Sequence, residues 1–449
     1  MRREIFREYD IRGIAGKDLT AETVEQLGLG IGTFLRRRGC NTITLGRDCR
    51  PSSDPFRNAL ATGLTATGLA VIDIGVMPTP LLYYSIHRLK SDGGVMITGS
   101  HNPPEYNGFK TCIGHDSVYG AQIQDIWSII ESKNFLSGKG SESKADVMTP
   151  YVQYMHDHFR FPRKVRVAVD CGNGTASLIA PSLLEALGCE VTKLYCDMDG
   201  RFPNHHPDPT VVENLADLQS AVKSGGLELG IAFDGDADRI GVIADTGKVV
   251  WGDMLLALYA RDILKKRPGG AFIAEVKCSM NLFRDIEKHG GRAIMWKTGH
   301  SLIKAKLKEE KALLAGEMSG HMFFADRYFG YDDAVYAACR IVEILANSPV
   351  SLSQMLSDIP PTFVTPEIRV QCDDDKKFAV VERVKSEFRR NYEVIDVDGA
   401  RIIFPNGWGL VRASNTQDVL VMRFEADTQE HLDEIRAQVE DQVRQAAGN

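Results

Sequence analysis

The chain has 449 residues, with 53 lysines and arginines against 60 aspartates and glutamates, for a formal net charge of -7. At roughly 100–200 residues per domain this length suggests about three domains, and 43% hydrophobic with 25% charged residues excludes wholesale disorder. Without a basic excess the chain is not a dedicated nucleic-acid binder, although local lysines and arginines can still line an anion pocket. Nine scattered cysteines with no C-x-x-C pair argue against a disulfide framework or a structural zinc site, and for a reducing compartment. The N-terminal residues lack the apolar stretch of a signal peptide, and no run approaches the ~20 apolar residues that span a bilayer. A cytoplasmic protein is expected.

In chain order, residues 20–39 read as a helix, capped by Thr20 and stopped by Gly39, with Val24, Leu27, Ile31, Phe34 and Leu35 at helical spacing. Strands are expected at Ile43–Asp48, Gly68–Gly75 and Val95–Ile97, the last emptying into a polar loop. The order then recurs: Lys164–Gly174, Gly188–Leu194 and Leu229–Phe233, followed by Ala271–Val276, Gly291–Lys297 and Leu313–Ala315. Alternating strands and helices imply largely parallel sheets, whose ligands gather at the carboxyl ends of the strands. Three similar α/β units, each ending its third strand in one polar loop, account for the pattern. Asn134–Thr149 and Pro360-Pro361 read as boundaries. Beyond the second, strands are expected around Glu367–Gln371, Glu393–Val397, Gly409–Ala413 and Val419–Ala426. A closing helix follows, capped by Asp427 with Glu430 reaching back, its buried stripe being Leu432, Ile435, Val439 and Val443. This tail is α+β, and four domains now fit the length better than three: 1–145, 146–248, 249–360 and 361–449.

Four loops could carry chemistry. In Thr98-Gly-Ser-His-Asn-Pro-Pro, Ser100 stands on a turn after a buried strand, and Lys110 follows an Asn-Gly turn; a local cap is the plain alternative. In Asp234-Gly-Asp-Ala-Asp-Arg239, extended chain would point the three carboxylates to one side, where they repel unless a cation lies among them. An open oxygen cage suits magnesium with a phosphate oxygen. An EF-hand fits poorly, since Arg239 stands where its glycine would be, and a phosphatase with an Asp nucleophile is the better rival. In Gly316-Glu-Met-Ser-Gly-His321, Glu317 and Ser319 could bond adjacent sugar hydroxyls. In Arg412-Ala-Ser-Asn-Thr416 a guanidinium, two hydroxyls and an amide could surround a phosphate.

Together TGSHNPP, NGFK, DGDADR, GEMSGH and RASNT resemble the α-D-phosphohexomutase superfamily over essentially the whole chain, nearest to its bacterial phosphomannomutase/phosphoglucomutase branch. The resemblance implies three related mixed-sheet α/β domains plus a C-terminal α+β domain around a cleft. It implies a phosphoryl group on Ser100, with Asp234, Asp236 and Asp238 binding one Mg²⁺ together with that group. Glu317 and Ser319 would contact the sugar, and Arg412, Ser414, Asn415 and Thr416 the unreactive phosphate. Tyr9, Arg12, Asn102, Arg239, Lys277, His300 and His321 would line the cleft, and His101 or Lys110 would move the proton. The implied reaction interconverts hexose 1- and 6-phosphates through a hexose 1,6-bisphosphate. Met318 and Phe109 resemble the mannose/glucose branch rather than phosphoglucosamine mutases. A sugar phosphatase and a non-catalytic sugar-phosphate sensor are the competing functions. The expected partner is a hexose phosphate, with no nucleic acid and no membrane, the chain being a monomer or weak dimer.

Overall fold

The computed structural model describes residues 1–414 and 417–448. Four β-sheets follow one another along the chain. In the first, parallel strands Thr42–Arg47, Ala70–Val76 and Gly93–Ile97 lie in the order second, first, third, and Tyr106–Ile113 runs antiparallel beside the third. The second sheet repeats this plan with Arg166–Asp170, Glu190–Leu194, Leu229–Phe233 and antiparallel Ile240–Ala244. The third repeats it with Ala271–Glu275, Arg292–Trp296, Leu314–Gly316 and antiparallel Met322–Phe324. The crossing from third strand to antiparallel neighbour is thus the same place in all three sheets, and three of the four polar loops sit there.

The local reasons are plain. Gly93–Ile97, Leu229–Phe233 and Leu314–Gly316 are buried at every position, as parallel strands covered on both faces must be. Helix Ala21–Arg37 is capped reciprocally by Thr20 and Thr23. It crosses helix Ser53–Ala66 at paired glycines: a Cβ on Gly63 would lie 2.2 Å from the Glu25 carbonyl oxygen. The stretch read as a boundary holds one more strand, Ser141–Lys144, added parallel to Ala70–Asp73 at the sheet edge. All four of its residues are exposed, which removes the apolar signal.

The fourth sheet is antiparallel, built from Phe363–Val364, Ile368–Gln371, Glu393–Ile395, Ala400–Phe404, Gly407–Ala413 and Val419–Ala426. Ala400–Phe404 is a strand the sequence pattern does not announce, because Arg401 interrupts its apolar run. Helices Lys377–Phe388 and Gln429–Ala447 pack on this sheet and share its core. Thr428, rather than Asp427, caps the last helix by accepting the His431 N–H, while Asp427 turns to the His431 ring at 2.6 Å. Leu432, Ile435, Val439 and Val443 are buried as their spacing predicts. The architecture is therefore the expected α/β class with three related mixed sheets and an α+β tail.

One contiguous apolar core reaches all of the first three sheets, the first sheet also keeps a second core against its helices, and the fourth sheet shares neither and has its own. The fourth sheet meets the third through a small cluster of Val276, Trp408 and Leu410. Beside it, buried Arg401 donates to the carbonyls of Val276 and Cys278. No described helix is long and apolar enough to cross a membrane.

Candidate active site

Ser100 is 3% exposed and held at a φ of +50°, a left-handed conformation a non-glycine residue adopts only when its surroundings demand it. The demand comes from beneath the loop. Arg50, with no exposed side-chain surface, donates to the carbonyls of Ser100 at 2.7 Å, Asn102 at 2.6 Å, Tyr106 at 3.1 Å and Pro103. Asp48 holds the Arg50 Nε at 3.0 Å and accepts the Gly99 N–H at 3.0 Å. Ser100 Oγ then stands 3.0 Å from Asp234 Oδ2 and 3.2 Å from His101 Nδ1.

The three aspartates converge, but not by strand alternation. After Phe233 the chain leaves the strand and turns, with Ala237 at a φ of +59°, and the turn rather than extended chain brings the carboxylates together. One oxygen from each lies within 4.8 Å of the others. Asp236 Oδ2 accepts from Thr79 Oγ1 at 2.5 Å, Thr98 Oγ1 at 3.1 Å and Lys110 Nζ at 2.9 Å. Its Oδ1 is buried without a hydrogen-bond partner. Burial, joined by the Asp238 and Asp236 charges, pushes the Asp234 carboxyl well above the carboxylate range. Burial opposes charge on Asp238 too, yet Lys110 and His321 hold it well below that range. An orphaned oxygen and a carboxylate driven toward protonation fit a bound cation, and the all-oxygen donor set suits a hard one.

From this cluster a chain of hydrogen bonds crosses the sheets. Asp238 meets His321 Nε2 at 3.0 Å, and His321 Nδ1 meets Glu317 Oε2 at 2.6 Å. Glu317 Oε1 accepts the Gly299 N–H at 2.7 Å. Next to it, Asp398 accepts the Thr298 N–H at 3.1 Å and the Arg412 Nε–H at 3.0 Å. Tyr9 donates to the Thr298 carbonyl at 3.1 Å. The Ser100 and Arg412 loops, on the first and fourth sheets, are thus joined through Thr298 and Gly299. Burial works against a charge on His321, but Asp238 and the hydrogen bonds to Asp238 and Glu317 carry it up to about 10.

The remaining residues fall around this line. Arg12 donates to Asn102 Oδ1 at 2.8 Å and pairs with Asp10. Arg239 Nε approaches His321 Nε2 at 3.2 Å. Burial and the Arg239 and Arg12 charges hold His101 well below the usual histidine value. His300 stands between Tyr9 and His321, its ring 6.0 Å and 5.8 Å from theirs. Lys277 lies 3.1 Å from Glu367 and 3.6 Å from Glu275. Ser319 is half-buried beside Glu317. Ser414 accepts the Gln417 N–H at 3.2 Å; Asn415 and Thr416 lie outside the described residues. Sequence reasoning missed Asp48, Arg50, Thr79, Glu275 and Asp398. Only Arg50 and Asp48 left a signal, as polar residues just past a strand end.

Family models for phosphoglucomutase/phosphomannomutase match in four consecutive pieces: α/β/α domain I over residues 3–137, domain II over 149–247, domain III over 251–363 and the C-terminal domain over 367–442. The chain belongs to the phosphoglucomutase/phosphomannomutase family. It is 47% identical over 441 residues to the phosphomannomutase/phosphoglucomutase of Pseudomonas aeruginosa, covering 98% of this chain and 95% of that one. To the phosphoglucomutase of Neisseria gonorrhoeae it is 44% identical over 439 residues, covering 97% and 95%. The crystal structure of a phosphoglucomutase/phosphomannomutase family protein from Burkholderia thailandensis superposes with a TM-score of 0.94 at 40% identity, covering 99% and 98%. Within the family frame the serine, aspartate, glutamate and arginine loops each come from a different sheet.

Proposed function

We propose that the protein is a reversible hexose-phosphate mutase that moves a phosphoryl group between the 1- and 6-oxygens of glucose or mannose phosphates through phospho-Ser100. The observation that carries this reading is the hydrogen-bonded line from Ser100 to Arg412. A bisphosphorylated sugar needs one subsite for the reacting phosphate and another for the resting one, and a simple phosphatase needs only the first.

In the forward half-reaction the bond from phosphorus to Ser100 Oγ breaks as a bond forms to the free sugar hydroxyl, whose proton must leave. Neutral His101, beside Ser100 Oγ, is the better acceptor for it. Lys110 is held as a cation by Asp236 and Asp238, so its part is to balance charge on the equatorial oxygens. Asp234, Asp236 and Asp238 would hold a Mg²⁺ ion, which when bound supplies charge neutralisation at the transferring phosphoryl group. Arg412 and Ser414, with Asn415 and Thr416, would hold the other phosphate, and Glu317 and Ser319 the sugar hydroxyls. The hexose 1,6-bisphosphate then reverses end for end, and its second phosphoryl group returns to Ser100 Oγ. The small contact between the fourth sheet and the rest supports the opening this requires.

The test is Ser100→Ala assayed with glucose 1-phosphate and mannose 1-phosphate. The expected result is loss of nearly all isomerisation, with wild type accumulating the 6-phosphate and releasing no inorganic phosphate. Normal turnover by the variant, or stoichiometric phosphate release by wild type, would overturn the reading.

A further inference from the structure

Two cysteines lie outside every role assigned so far. Asp170 and Leu194 are paired in register on adjacent parallel strands, and Cys171 and Cys196 follow them by one and two residues. Tyr195 takes a left-handed φ of +49°, which folds the chain back so that the Cys196 sulfur lies 3.4 Å from the Cys171 sulfur. Cys171 is buried and Cys196 only half-buried. We propose that Cys171 and Cys196 are a modification site, a dithiol that a hydroperoxide converts reversibly to a disulfide, and that this bond lowers activity by pulling on the aspartate loop.

The chemistry balances without a cofactor. The Cys196 thiolate attacks a peroxide oxygen, the O–O bond breaks, and Cys196 becomes a sulfenic acid as water leaves. The Cys171 sulfur then displaces the sulfenic oxygen, which departs as a second water with the Cys171 proton, and the S–S bond forms. Two thiols lose two electrons and hydrogen peroxide is reduced to water. The polarity of the pair suits this order: the contact with Cys171 draws Cys196 below the ordinary thiol value, while burial pushes Cys171 up.

The coupling to the site is backbone on backbone. Cys171 accepts the Gly174 N–H at 2.7 Å, and the Thr175 N–H donates to the Gly235 carbonyl at 3.0 Å. A Cβ on Gly174 would lie 2.7 Å from that same oxygen, and a Cβ on Gly235 would lie 2.5 Å from the Ser100 carbonyl oxygen. Three loops are stacked without slack. Closing the sulfurs from 3.4 Å to the ~2.05 Å of a disulfide must be absorbed by this stack.

The test uses the full-length protein, reduced, desalted and titrated with hydrogen peroxide under native conditions. Peptide mapping by mass spectrometry should find residues 171 and 196 cross-linked, and dithiothreitol should reverse the link. In step with it kcat/KM should fall ~10-fold and recover on reduction, within the range a displacement near 1 Å produces. Cys196→Ser, matched to wild type by its thermal melt, should keep its activity under peroxide. Cys196 remaining alkylatable after wild type has lost activity would overturn the site, and a complete cross-link with full activity would overturn the coupling. Loss traced to Cys49, which burial and Asp48 push up to about 12, would also overturn it. The activity arm rests on the proposed mutase reaction, but the cross-link is read by mass alone, so the two can fail separately.

Discussion

Replacing Arg50 by methionine tests how the serine loop is held. The side chain has no solvent exposure and supports the loop through carbonyl bonds to Ser100, Asn102, Pro103 and Tyr106. Each hydrogen bond to a charged donor contributes ~1.5–3 kcal/mol, but bonds sharing one guanidinium are not additive. The larger effect is on Asp48, 2% exposed, which keeps its bonds from Ser53 Oγ and the Gly99 N–H but loses its ion pair. Removing one member of a buried pair costs ~3–5 kcal/mol, and that is the expected loss in urea unfolding. With the left-handed turn at Ser100 no longer enforced, kcat should fall ~100-fold, as for a displacement near 1 Å. Arg50→Lys separates the two effects. It keeps a cation beside Asp48 but cannot reach four carbonyls at fixed angles, so it should recover much of the stability and little of the rate. An Arg50→Met protein with wild-type kcat, or an Arg50→Lys protein with wild-type rate, would refute the reasoning.

Gly235→Ala places a methyl 2.5 Å from the Ser100 carbonyl oxygen, and backbone must move to admit it; kcat should drop at least ~10-fold while far-ultraviolet circular dichroism stays unchanged. Asp398→Ala strands Arg412, since the carboxylate bonds both Arg412 and the Thr298 N–H. If Arg412 grips the unreactive phosphate, KM for the sugar phosphate should rise ~10-fold with kcat less affected, the pattern of lost uniform binding. His87 stacks on His115 at 3.7 Å, and burial, then His115, lowers it to about 4. Its folded value lies below the unfolded ~6.5, so the stability this neutral ring preserves is complete above pH 6.5 and lost as pH falls toward 4. His87→Phe should flatten the decline of Tm over that window; an unchanged slope would discount the pair.

The repeated sheets were legible because a parallel strand covered on both faces must be an apolar run, and Leu229–Phe233 or Ala271–Glu275 can be little else. Ser141–Lys144 carried no such signal, being exposed on both faces. Ala400–Phe404 hid because Arg401 is buried with its Nη1 on the carbonyls of Val276 and Cys278, just past a strand of the third sheet, partners no local pattern reveals. The same divide runs through the site. Ser100, the aspartates, Glu317 and Arg412 sit in compact motifs whose residue types repeat at short spacing. Asp48, Arg50, Thr79, Glu275 and Asp398 act by reaching across the fold, and apart from the strand-end position of Asp48 and Arg50 their neighbours in sequence say nothing of it. The carboxylate cluster was found for a reason the fold corrects: a turn at Ala237, rather than strand alternation, gathers it.

Thr298 and Gly299 make a junction of unusual economy. Within two residues the first sheet's loop attaches through Tyr9, the third's through Glu317 and the fourth's through Asp398. Gly299 sits at a φ of +127°, and a Cβ there would lie 2.6 Å from the Tyr9 ring. A mechanical linkage with one shared pin has few independent adjustments: whatever tilts the fourth sheet also tugs the peptide against which Tyr9 and Glu317 are set. Met318 is tied into the same pin, its N–H donating to Glu275 at 2.8 Å while Thr298 Oγ1 donates to that carboxylate at 2.6 Å, and Ser319 is half-buried next to it. A substitution at 298 or 299 is therefore felt in three sheets at once, which no change confined to a single loop can match.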